Sequence, residues 1–374
     1  MLVGCLGLSA LAAGVPWLSL MRSGEVVLGL LACLALARRR SLALRVLVCG
    51  GGLILLQLPQ VIAQEIRQSS VSLGSLIPGW SPVTQARVPG ALVVFGPDNL
   101  RRQRGMGSFL HPNLLGGFLA LALVFSLPWL ARGGRYGPVL WPVWAFAWIE
   151  LILTFSRAAL VAAVVGCLRW VTVRYRYAMH GRQVAVLAGV PVVAVAGLAT
   201  VIGNMLVPRL DPARMLHSVA VTDRWHLLAI GARVVVAHPL LGVGAGNYSL
   251  AEARLPLSAM SVQPVHMVPL LVAAEAGVAA GLAWLALVLG GPIVELSAGQ
   301  TNGRAWCERL AVPAVILILA SLDHYFWTFA SGQALFWVTL GVWAAQAGLT
   351  PHLDRSGAPI RGVVDDLVVQ RGPM

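Results

Sequence analysis

His266 and Glu275 stand inside an almost wholly apolar run, "PVHMVPLLVAAEAGVAAG", residues 264–281. An ionisable group in such a segment is costly unless it is paired or put to work. Two arginines hold similar positions: Arg157 lies between two apolar stretches, and Arg224 heads a charged segment. Histidine moves protons near neutral pH, and the arginine fork grips anions. Asp323 and His324 sit near the end of a later apolar stretch, and His111 and Asn113 lie just ahead of an earlier one. Each has a plain structural alternative. His266, Asp323 and His324 also fit as interfacial polar residues, Arg157 as a snorkelling side chain, and His111 and Asn113 as a helix cap.

The elements that position these groups are set by composition. The chain has 374 residues, 58% of them hydrophobic and 11% charged, with a mean hydropathy of +0.80. Soluble domains carry about 25% charged residues. Long apolar runs recur throughout, so the chain reads as an all-α integral membrane protein with no soluble domain of useful size. The net charge of +13 comes from arginine alone. Those arginines lie in loops between apolar spans, where the positive-inside rule accounts for them better than nucleic-acid binding. Cys5, Cys33, Cys49, Cys167 and Cys307 form no CxxC or Cys/His cluster and read as small core residues. The apolar start at Leu2, with no basic residue before it, reads as a first span and not a cleaved leader.

Ten spans fit: roughly 2–20, 24–37, 43–62, 108–131, 137–154, 158–171, 184–206, 267–290, 310–328 and 332–349. They make one polytopic domain over 1–349, followed by a cytoplasmic tail, 350–374. With a cytoplasmic N-terminus, the arginine-rich stretches at 38–45, 132–135, 169–182 and 303–309 share the tail's side, as cytoplasmic loops should. Two long loops, 63–106 and 207–265, then face outward, and both are net positive. Their arginines are either tolerated or form a surface for an anionic ligand.

In the second loop, "TDRWHLLAIGARVVVAHP" (222–239) carries helix punctuation: Thr222 as cap, Asp223 in the first turn, Pro239 at the end. Trp225, Leu228, Ala229, Ala232, Val235 and Val236 share one face, which describes an amphipathic helix on the outer membrane surface. Glu150 precedes Arg157 by about 10 Å of helical rise, too far for direct contact. Glu275 falls half a rotation from His266, so a backbone group or a group on another span, Arg157 among them, suits it better as partner. No His, Asp or Glu cluster shows metal-ligand spacing, and "GVGAG" (242–246) follows a helix, as a turn would, and not a strand.

Four stretches resemble the O-antigen ligase and polymerase family in order. "GSFLHPNLLGGFLALAL" (107–123) is similar to its Gly-Ser-Phe…Pro-Asn segment, and "LTFSRAALVA" (153–162) to its Ser-Arg hairpin. "DRWHLLAIGARVVVAHPLLGVGAGNY" (223–248) resembles its outer-loop helix and glycine-rich turn. His266, with Gly277 beyond it, resembles its histidine motif. Met267 and Ala280 depart from that motif. The resemblance covers roughly 107–290.

The resemblance implies transfer of a glycan from undecaprenyl pyrophosphate to a hydroxyl acceptor at the outer face of the bacterial cytoplasmic membrane. His266 would be the base or would orient the acceptor. Arg157 and Arg224 would clamp the pyrophosphate, with helix N-terminal amides near Arg224 assisting. His111, Asn113, Glu275 and Asp323 are secondary candidates. The enzyme would be inverting, would need no metal and no cofactor, and would have lipid-linked donor, glycan, glycolipid or protein acceptor and membrane lipids as partners. Nucleic acid is not among them. The rival is a transporter of a small anion such as bicarbonate, using the same charges; internal repeats would mark it, and none is evident. A lipid-linked-sugar flippase would need charge deep in the membrane.

Overall fold

The computed structural model describes residues 1–69, 92–95, 100–132, 137–178, 186–189, 191–192, 219–254, 262–297 and 309–347. The expected span at 184–206, most of the loop at 63–106, the first part of the loop at 207–265 and the tail lie largely or wholly outside them.

The chain is helical. In order it forms α1 (Leu2–Ser9) with a 3-10 turn (Ala10–Ala12), α2 (Pro16–Arg38), α3 (Arg40–Arg67), α4 (Pro112–Arg132), α5 (Gly137–Leu153) and α6 (Arg157–Ala178). Then follow α7 (Val219–Ala237), α8 (Tyr248–Glu252), α9 (Val268–Ala276), α10 (Val278–Ser297), α11 (Ala311–Leu322), α12 (Tyr325–Thr328) and α13 (Ala330–Ala347). A short antiparallel ribbon, β1 (Leu92–Phe95) with β2 (Leu100–Gln103), qualifies the all-α expectation; Leu92 pairs with Gln103. Among the described residues, three helices are long and apolar enough to cross a bilayer: Pro16–Arg38, Arg40–Arg67 and Pro112–Ala131. Further apolar helices at 137–153, 278–293 and 311–322 are shorter. The chain is a membrane protein.

The first two expected spans are redrawn. Pro16 opens a single 23-residue helix running through Ser23 and Gly24, since the pyrrolidine ring suits a first helical turn. What precedes it, α1 and its 3-10 turn, rises only about 16 Å, half of the apolar thickness. The span expected at 267–290 is broken at Gly277, and that at 310–328 ends at Leu322.

Packing follows residue size. Helix α13 lies along α2, α6 against α4 and α11, and α9 against α7 and α10. The α2–α13 contact is close because Gly29 gives room: a Cβ there would stand 2.0 Å from Trp337. Trp284 and Phe336 stack with centroids 5.0 Å apart in the buried interior. Cys5, Cys33, Cys49 and Cys167 are free thiols.

Candidate active site

One end of the bundle collects the polar residues, beginning with three glutamines. Gln57, Gln60 and Gln64 share a face of α3 and are buried. They hold the loop ahead of α4 through its backbone. Gln64 Oε1 accepts from the Met106 and Gly107 amides at 2.9 Å, and the amide nitrogens of Gln60 and Gln64 donate to the Gly107 carbonyl, also at 2.9 Å. Gln57 Oε1 accepts from the Ser108 amide at 2.6 Å. Gly107 must be glycine, because its φ is +56° and a Cβ would sit 2.0 Å from Gln57 Oε1.

The clamped loop delivers Arg104 and His111. Arg104 Nε donates to the Thr154 carbonyl at 2.7 Å, and its Nη2 donates to Asn113 Oδ1. Asn113 Nδ2 in turn donates to Asp323 Oδ2 at 2.6 Å. Arg104 therefore ties the hairpin that carries Arg157 to the turn that carries Asp323 and His324. His111 Nδ1 accepts the Asn113 amide at 3.1 Å, which makes His111 the cap of α4.

In the Ser-Arg hairpin, Phe155 takes a left-handed φ of +50°. Ser156 then starts α6, its carbonyl accepting the Leu160 amide at 2.9 Å. Arg157 is thus the first residue of α6. Burial, then the cation of Arg224, lowers its proton affinity. Arg22 pairs with Glu25, whereas neither Arg157 nor Arg224 has a carboxylate partner among the described residues. Glu150 is fully buried, and among the described groups its carboxyl oxygens bond neither Arg157 nor Thr154.

Arg224 departs from its expected place. Helix α7 already runs from Val219, so Thr222 and Asp223 lie within it and Arg224 is its sixth residue. Its neighbouring amides are spent on helical bonds, and the expected anion grip by free N-terminal amides is withdrawn. The helix also has two apolar faces. Leu227, Ile230 and Val234 are buried, with Gly231 against Val265 and Leu270. Trp225 and Val236, from the expected stripe, remain 67% and 80% exposed.

His266 precedes α9, its ring 4.8 Å from that of His324 in an edge-to-face arrangement. Burial, then the His324 ring, pushes its pKa down to about 4; Asp323 opposes this shift and Arg224 adds to it. The imidazole is neutral at pH 7. The His324 amide donates to Asp323 Oδ1 at 2.7 Å, and His324 Nδ1 bonds Thr328 Oγ1 at 2.7 Å. One ligand-capable atom from each of His266, Asp323 and His324 lies within 4.8 Å of the others. Sequence spacing hides this group, since tertiary packing alone joins its two strands of chain.

Glu275 is accounted for differently. Its carboxylate accepts the Gly246 amide at 2.8 Å, the Trp327 indole at 2.7 Å and the Tyr248 amide at 3.4 Å. The partner is a backbone loop, as one sequence alternative had it, and Arg157 is not involved. Glu275 fastens the glycine-rich turn to the segment beside His324. Asn247 locks the same turn to the start of α2, accepting the Val15 amide at 2.8 Å. Gly277, with φ at +89°, ends α9 and lets the Ala274 and Glu275 carbonyls take the Val243 and Gly244 amides at 3.0 and 2.9 Å.

Arg157, Arg224, His266, Asp323, Asn113 and His111 therefore meet at one end, and Glu275 supports that end without facing it. Thr328 and the three glutamines were not singled out in the sequence, and Arg104 was legible there only as one arginine of the net-positive loop at 63–106. The glutamines left a signal, a polar stripe at helical spacing on an apolar span.

Residues 142–285 match the family model described as O-antigen ligase. Over that stretch the chain is similar to the O-antigen ligase family. Arg157, Arg224, His266 and Glu275 fall inside it, while His111, Asn113, Asp323 and His324 lie outside and are brought in by the fold. No curated protein matches the chain. The match supports an O-antigen ligase-like role in surface polysaccharide assembly, with a lipid-linked glycan and an acceptor as partners in general.

Proposed function

We propose that the chain is an inverting, metal-independent glycosyltransferase of the bacterial cytoplasmic membrane. It moves a glycan from undecaprenyl pyrophosphate to a hydroxyl acceptor at the outer face. The observation that carries this reading is a neutral, half-buried His266 beside two cations, Arg157 and Arg224, that lack carboxylate partners among the described residues.

The chemistry runs as an in-line displacement. The acceptor oxygen attacks the anomeric carbon, and its proton passes to His266. The bond from that carbon to the phosphate oxygen breaks, and the electron pair leaves on the pyrophosphate, whose growing charge Arg157 and Arg224 hold. Before the donor binds, His266 is a weak base. Pyrophosphate on the arginines cancels their repulsion and raises the proton affinity of the ring, so the base gains strength once the donor is bound.

Orientation rests on charge. Helix α3 is 28 residues long, and its glutamine end belongs to the site while Arg38–Arg40 mark the other end. Arginine-rich junctions on that far side suit the cytoplasm and leave the site outside. About ten spans, with α7 lying at the outer surface, complete the topology. Trp225 and Val236, exposed on α7, suit the lipid interface. Incubating the purified chain with a lipid-linked oligosaccharide and identifying what the glycan joins tests the reading; an intact donor under all acceptors would refute it.

A further inference from the structure

We propose that His266, His324 and Asp323 bind a transition-metal dication of the zinc class, and that this ion silences the site. Two imidazoles and one carboxylate are a donor set zinc takes. One ligand-capable atom from each residue lies within 4.8 Å of the others. Nitrogen and oxygen ligands of tetrahedral zinc, with bonds near 2.0–2.2 Å, stand roughly 3.4 Å apart. Side-chain adjustments on the order of 1 Å close that gap.

A second observation points to a ligand: His266 Nδ1 is buried with no hydrogen-bond partner among the described residues. The other two side chains are held as outer partners hold metal ligands. Asp323 accepts from Asn113 Nδ2 and from the His324 amide. Thr328 Oγ1 donates its one proton to the His324 carbonyl at 3.2 Å. The His324 Nδ1–H must then be the donor in the ring's bond to Thr328, which leaves a lone pair on Nε2. Arg224 and Arg157 oppose a cation here, so the affinity falls well short of a structural zinc site.

The silencing role rests on the glycan-transfer reading. An ion on the His266 lone pair occupies the position where the acceptor proton goes. The enzyme would need no metal yet be inhibited by one.

The test titrates ZnCl2 into the untagged full-length chain in detergent by calorimetry, and records the melting temperature with and without zinc. Wild type is expected to take one ion per chain with a micromolar dissociation constant and a raised melting temperature. His324→Ala should bind at least tenfold more weakly and gain no thermal stability from zinc. Asp323→Asn is the second variant, in case His324→Ala fails to fold. A flat wild-type titration, or folded variants that bind as tightly as wild type, would overturn the ion site whether or not glycan transfer is found. With a lipid-linked oligosaccharide as donor, zinc should stop turnover and EDTA should restore it. Zinc that binds without slowing turnover would sink the silencing role and the place of His266 as base.

Discussion

At the scale of single residues, His266 and the two arginines should fail in different ways. His266→Ala should lose about 10²–10⁴-fold in turnover, the range of general base catalysis, while donor binding holds. Near-normal turnover in a folded His266→Ala chain would remove it from the mechanism. Arg157→Ala and Arg224→Ala should weaken donor binding as well, and lysine should rescue neither, because a point charge does not reproduce a bidentate phosphate contact. With the His266 pKa near 4 in the free enzyme, the acid limb of kcat/KM should lie near pH 4, and that of kcat higher, since bound pyrophosphate favours the protonated ring. A kcat/KM limb at the ordinary histidine value of about 6.5 would contradict the buried setting. The same depression means that the unfolded chain takes up the proton first. Its contribution to stability is therefore present above about pH 6.5 and is lost as pH falls towards 4. Glu275→Gln tests a structural role. The carboxylate faces only N–H donors, so the amide NH2 of glutamine would oppose one of them at a cost of about 1–3 kcal/mol. A lower melting temperature is expected, and an unchanged one would contradict the network.

At the scale of elements, the site depends on segments that stop or bend where needed. Gly277→Ala places a Cβ 2.0 Å from the Leu240 carbonyl oxygen at a φ of +89°. The turn against α9 should open, with a clear fall in melting temperature; a variant as stable as wild type would show that the break is not required. On α3, Gln64→Leu leaves the Met106 and Gly107 amides without their acceptor. Each stranded group costs about 1–3 kcal/mol, and the loop that presents Arg104 and His111 should loosen. Proteolysis near residue 107 would report it.

For the whole molecule, orientation and metal use are the matters to test. Single cysteines at Leu110 and Ala253, in a cysteine-free background, should label from outside intact cells. Labelling only after permeabilisation would invert the topology and move the site to the cytoplasm. Activity should survive EDTA, because the arginines supply the charge neutralisation a divalent ion would otherwise give. Loss of activity restored by magnesium would contradict the two-arginine clamp.

The membrane class, helices such as α3, α4, α5, α6 and α13, and the motifs that fall within residues 142–285 were legible in the sequence, because apolar length and residue spacing are local properties. The spacing from His266 to Gly277 was legible as a pattern, and the fold supplies its physical reason: Gly277 ends α9, which starts just after His266. Sequence could not fix what Glu275 pairs with, since its partners lie on the 246–248 backbone and on Trp327. Nor could it place Arg224, whose helix begins earlier than the Thr222 punctuation suggested, because capping signals are weak and tertiary packing overrides them. The meeting of Arg104, Asn113, Asp323 and His324 with His266 was decided by tertiary structure alone. Hydrogen bonds between distant segments have no periodicity to read, and only packing of the helices brings their ends within reach of one another.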